Sequence, residues 1–72
     1  MKITYDAEAD ALYIEFLPAE PSDIVDVEPG VTADLDAAGH IIGLEIIGAR
    51  ERFGESLGNI VIEIPIELRK TA

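Results

Sequence analysis

Apolar side chains recur at every second position through most of this chain. That period of two constrains the fold more than any other feature, because it is the signature of strands with one face buried. Ile3 and Tyr5 share a face in Lys2 to Tyr5, and Leu12, Ile14 and Phe16 share one in Ala11 to Leu17, opposite Tyr13 and Glu15. Val25 and Val27 oppose Asp26 and Glu28 in Asp23 to Glu28, and Val31, Ala33 and Leu35 oppose Thr32, Asp34 and Asp36. In His40 to Ile47 the core face is Ile42, Leu44 and Ile46. The other face of that strand, Ile41, Gly43, Glu45 and Ile47, is too apolar to be wholly wet, so something covers part of it. A last run places Ile60, Ile62, Ile64, Ile66 and Leu68 on one side. Pro65 cannot donate to a ladder, so this strand is an edge or leaves the sheet there.

Turn residues separate these runs. Asp6-Ala7-Glu8-Ala9-Asp10 reads as a turn with Asp6 bonding its own backbone, and Pro18 and Pro21 bracket a loop. Pro29-Gly30 breaks a strand, and Asp36-Ala37-Ala38-Gly39 reads as a hairpin connection with Gly39 at positive φ. One stretch changes period: Ala49, Phe53 and Leu57 are four apart, which fits about two helical turns ending at Gly58-Asn59. Gly54 weakens that helix. The expected fold is therefore α+β and mainly β: one small domain over residues 1–72, an antiparallel meander of five or six strands with one short helix near residues 49–57.

Size limits what such a fold achieves alone. A chain of 72 residues buries only roughly 60% of the surface its unfolded form exposes. A core of that size supplies about 3–5 kcal/mol. With no cysteine in the chain, disulfides, Cys-ligated zinc and thiol chemistry are excluded. Self-association is expected instead, as a homodimer through the 60–68 strand, whose apolar edge exceeds what one small sheet needs.

Charge is unevenly placed. Residues 1–49 hold eleven acids and one base, Lys2, whereas residues 50–72 hold four of each. The net charge of −10 argues against direct binding to nucleic acid or an anionic membrane. The first six residues already include Asp6 and have no apolar stretch of a targeting signal, and no run is long enough to span a bilayer. A cytoplasmic location is expected.

Several motifs invite chemistry. Gly54-Glu55-Ser56-Leu57-Gly58 matches the G-x-S-x-G pattern, but a nucleophile elbow needs a strand before its Ser and a helix after it, and here the helix comes first. Asp34, Asp36, Gly39, Ile41 and Glu45 imitate an EF-hand loop, with Ala38 where an oxygen ligand belongs and strands for flanks. Asp6, Glu8 and Asp10 form an acidic trio that reads as a solvated turn before it reads as a cation site. His40, the single imidazole, has no named partner to orient it. Arg50, Arg52, Arg69 and Lys70 read as balancing the acidic sheet more readily than as a phosphate site. No catalytic, cofactor or metal residue is assigned.

Tyr5-Asp6-Ala7-Glu8-Ala9-Asp10-Ala11-Leu12-Tyr13-Ile14, then Pro29-Gly30-Val31, Asp34-Leu35-Asp36, Gly39 and Ile42-Gly43-Leu44-Glu45-Ile46, resemble a bacterial family, the domain of unknown function numbered 2283. The resemblance covers about residues 1–53. It implies a small antiparallel sheet and carries no established catalytic residue, metal or substrate. Members are sometimes encoded beside small basic, toxin-like proteins. The functional expectation is a non-catalytic, antitoxin-like module that binds a small basic partner. The competing expectation is a small carboxylate-dependent or metal-assisted enzyme built on Asp6, Glu8, Asp10, Asp34 and Asp36.

Overall fold

The computed structural model describes residues 1–65. Five strands form one sheet: β1 (Lys2–Asp6), β2 (Ala11–Glu15), β3 (Asp23–Glu28), β4 (Val31–Leu35) and β5 (Ile41–Ile47). A one-turn helix α1 (Ala49–Phe53) and a 3-10 turn over Gly54–Gly58 follow. Every pairing is antiparallel, so the fold is mainly β within an α+β class, as the alternation predicts.

The strand order is β1-β2-β5-β4-β3. The β1–β2 hairpin and the β3–β4–β5 meander are consecutive units, and β5 inserts beside β2 to join them. The order therefore departs from a strict meander at one connection, residues 16–22. That loop runs along the end of the sheet. Phe16 and Leu17 donate to the Ile42 carbonyl at 2.8 and 3.3 Å, and Ser22 donates to Leu35 at 2.8 Å. It thus passes β5 and β4 before entering β3 at the far edge.

Register turns the alternation into rows. Ile3, Ile14, Leu44, Ala33 and Val25 stand opposite one another across all five strands, and Tyr5, Leu12, Ile46 and Val31 form the next row. Both rows lie on the face that α1 covers. Leu12, Ile46 and Ala49 form the buried cluster, with Ile3, Ile14, Val31 and Leu57 packed against it. Full burial of a Leu or Ile side chain contributes about 1.5–3 kcal/mol, so Leu12 and Ile46 carry much of this small core.

Two bulges adjust the rows. On β5, Ile42 has no partner between the Asp34–Gly43 and Leu35–Ile41 pairs. Its side chain is only 2% exposed. On β3, Val27 is the extra residue, so Glu28 pairs with Val31 instead of continuing the alternation from Asp26. Strict alternation puts Glu28 on the Asp26 face; the bulge turns it to the helix side.

The short helix expected near residues 49–57 is present, and Gly54, at φ 56°, marks where its α-helical turn gives way to the 3-10 turn. One expectation is corrected. The strand expected over 60–68 is absent from residues 60–65, which pair with neither open edge of the sheet. Its later members, Ile66 and Leu68, lie outside the described residues. Alternation marks a candidate strand, but a ladder needs a backbone partner, and among the described residues 60–65 find none. Ile60, Val61, Ile62 and Ile64 remain 53, 68, 65 and 44% exposed.

Candidate functional site

The face of the sheet away from α1 is open, and its strands carry acid. Tyr13, Glu45, Thr32 and Asp26 form one row; Lys2, Glu15, Gly43, Asp34 and Ile24 form the next. At its centre the Tyr13 hydroxyl on β2 reaches across β5 and donates to Asp34 Oδ2 on β4 at 2.6 Å. That span requires Gly43 between them. A Cβ at position 43 would collide with the Tyr13 hydroxyl and lie 2.9 Å from its Cζ. Gly43 has ordinary strand conformation, so its role is close approach and not a positive φ. The hydrogen bond to the Asp34 carboxylate, then burial, then the charges of Asp34, Glu15 and Glu45 push the Tyr13 phenol up to about 12. Tyr13 is the cover expected over the second face of β5, but a partial one: Ile47 stays 52% exposed, while the bulge sets Ile41 opposite Leu35 on the other face.

A second polar constellation joins α1 to the sheet. A five-residue helix cannot nucleate itself, and its N-cap, Gly48, offers no side chain. Asp10 substitutes for it from the β1–β2 turn. Its backbone carbonyl accepts from Gly48 and Ala49 at 3.0 and 3.2 Å. Its Oδ1 accepts from the Arg50 amide at 3.0 Å and from the Tyr5 hydroxyl at 2.7 Å. Three successive orphan N–H groups of the helix start are thus satisfied by one residue forty positions away. Asp10 reaches them from φ 51°, a left-handed conformation that Asp tolerates better than most side chains. The Tyr5 hydroxyl first, and the Arg50 amide and charge after it, hold the Asp10 carboxyl below the usual range. The same bond raises the Tyr5 phenol.

The arginines complete the joint. Arg50 Nη2 donates to the Ala7 carbonyl at 2.6 Å. Arg52 donates to Ile47 O at 3.1 Å, to Glu28 Oε2 at 3.1 Å, and to the Pro29 carbonyl. A Cβ on Gly30, which sits at φ 84°, would fall 2.7 Å from that guanidinium. Arg52 is thus a staple between α1 and the β3–β4 turn, and the Val27 bulge is what brings Glu28 to it.

The sequence motifs resolve accordingly. Asp6 Oδ1 accepts from Glu8 and Ala9 at 3.0 and 3.3 Å, the Asx turn expected of it. In the calcium-like loop, Asp36 Oδ1 accepts from Ala38 and His40 at 3.0 and 2.9 Å, Asp34 takes the Tyr13 hydroxyl, and Glu45 stands opposite Thr32. Among the described residues no three His, Cys, Asp or Glu side chains gather as a metal site. His40 is exposed at the base of its hairpin. Ser56 lies inside the 3-10 turn, with no strand leading into it. Arg50 and Arg52 are engaged as described, and Arg69 and Lys70 lie outside the described residues. Sequence reasoning missed the Tyr13–Asp34 bridge and the Asp10 cap. The first left a signal, a glycine in the middle of an apolar strand.

These features define a small α+β module: a five-stranded antiparallel sheet with one face under a short capped helix and the other open and acidic. The chain belongs to the family described as protein of unknown function DUF2283, whose model matches residues 2–50. The match spans all five strands and ends at Arg50, where the Asp10 cap is made. No curated protein and no solved structure matches the chain. No helix among the described residues is long and apolar enough to cross a membrane.

Proposed function

We propose that this chain is a non-catalytic, antitoxin-like binding module that captures a small basic protein on the open face of its sheet. The observation that carries the reading is the row geometry of that face. Glu15, Glu45, Asp34 and Asp26 stand on four neighbouring strands, with Lys2 the one basic residue in those rows. A field of one sign steers an oppositely charged partner and sets its orientation. The non-catalytic part is supported by the use made of the acids. Asp6 and Asp36 hold backbone amides, Asp10 holds the helix start, and Asp34 holds Tyr13. A general base or nucleophile must be free to meet its substrate; of the five acids an enzyme would draw on, four have structural bonds.

The test is capture from native lysate at low salt by the tagged full chain, eluted with a salt gradient. A small basic protein released at moderate salt is expected. The Glu15→Lys/Glu45→Lys variant should lose at least about tenfold in affinity for it. Capture that ignores ionic strength, or that survives the double substitution, overturns the proposal.

A further inference from the structure

We infer that the helix side of the sheet is a self-association surface, and that its occupant is a second copy of this chain. The two copies would exchange contacts, with the Val61–Ile64 segment of each seated on the apolar groove of the other.

The groove, about 190 Å³, lies between the sheet and the 3-10 turn and is lined chiefly by Ile3, Leu12, Ile14, Phe53, Leu57 and Ile60. No charged side chain is among the described residues that line this part of it, and Glu55 stands on its continuation beside Tyr5. Its lip continues into Val61, Ile62 and Ile64, which are 68, 65 and 44% exposed. One chain thus presents both an apolar groove and an unpartnered apolar segment that begins at the groove. A surface and its complement on the same chain satisfy each other around a two-fold axis. β1 borders the groove through Ile3 and Tyr5, and among the described residues it pairs with β2 alone, so its outer edge is a place where an added strand could pair. Val61, Ile62 and Ile64 have the side chains for that role.

Charge selects the occupant. Residues 1–49 carry eleven acids and one base, and residues 50–72 carry four of each. Two identical chains repel through their acidic faces, so self-contact is favoured on the helix side, where Arg50 and Arg52 offset Glu51, Glu55 and Glu63. That side bears α1, the 3-10 turn and residues 59–65. A basic partner is drawn to the opposite face for the same reason. The two interactions therefore respond to salt with opposite sign: screening weakens capture of a cation and relieves repulsion between like chains. This inference is independent of the proposed function, and either can fail alone.

Sedimentation equilibrium of the full chain from about 1 to about 100 μM, at about 0.05 and 0.5 M salt, decides it. Twice the chain mass of 7.8 kDa is expected, with affinity unchanged or tighter at the higher salt. Ile62→Asp removes nothing from the single-chain core and should weaken the dimer about 30-fold or more, with the sheet retained by circular dichroism. Should that variant fail to fold, Ile62→Ser tests the same contact. A mass of 7.8 kDa at every concentration and both salts overturns the inference, and is the result expected if the segment covers its own groove or awaits a different protein. A dimer indifferent to the position-62 substitutions, or one dissolved by salt, overturns it as well.

Discussion

On the helix side of the sheet Leu12 and Ile46 are 7 and 9% exposed and Ala49 is fully buried. On the other side, among the described strand residues, Gly43 alone is buried, and what covers it is a tyrosine hydroxyl bound to an aspartate. The same five strands supply both faces. One is held by area removed from water, and the other by a polar bridge laid across three strands. The first loses stability in proportion to the apolar volume removed; the second depends on one atom's position. That difference teaches how much each face contributes, and it can be tested from both sides.

The largest effect is expected on the covered face. Ile42, 2% exposed at the β5 bulge, leaves a cavity when cut to Ala. Ile42→Ala should cost about 2–4 kcal/mol. In a chain whose whole core supplies about 3–5 kcal/mol, that brings chemical denaturation to the edge of spontaneous unfolding.

Gly43→Ala acts next. The new Cβ must push the Tyr13 hydroxyl away from Asp34, a loss of about 1–2 kcal/mol. The part due to the tyrosine should vanish in a Tyr13→Ala background, leaving only what the Ile14 carbonyl at 3.1 Å imposes, and a double-mutant cycle measures that coupling. If Gly43→Ala is equally costly without the tyrosine, the bridge is not what the glycine serves.

Tyr13→Phe removes only the hydrogen bond and should cost about 1 kcal/mol at neutral pH. Its pH dependence has a definite sign. Tyr13 is raised from 10.0 to about 12 by its bond to Asp34. Its contribution is therefore complete below pH 10 and is lost as pH rises through about 12. The difference in thermal midpoint between wild type and Tyr13→Phe should close over that interval. A gap that persists beyond it contradicts the assignment.

The smallest effect belongs to the joint between α1 and the sheet. Asp10→Asn should lower the thermal midpoint by a few degrees at neutral pH. Because the Asp10 carboxyl is held below its ordinary value of 3.8, the charge-dependent part is present above that value and disappears as pH falls beneath it. Melts of the two proteins should converge in acid.

Much of this architecture was legible from local pattern. The alternation locates all five strands within two residues, and Asp23–Glu28 agrees at both ends. Gly30 and Gly39 take the positive φ that their turns demand. The Asp6 turn is a matter of three consecutive residues. Each of these is decided by sterics or hydrogen bonds within a few positions of chain. The acidic character of the open face was legible as well, since it follows from residues alternating with the apolar ones.

What escaped the pattern is what joins distant segments. Period two tells which side chains share a face, but not that β5 lies beside β2, because pairing is chosen by the whole set of strands competing for edges. A bulge moves a side chain to the other face without changing a letter, and so Glu28 met Arg52 instead of Asp26's neighbours. Asp10 reads as a turn residue and serves as a helix cap forty positions on. Ile60 to Ile64 reads as a strand and finds no ladder within the described chain. Local geometry is settled by the few atoms on either side of a bond, and the sequence states those directly. A cap, a register or a strand partner exists only once the chain has closed its long loops, and its energy comes from atoms that the order of residues leaves far apart.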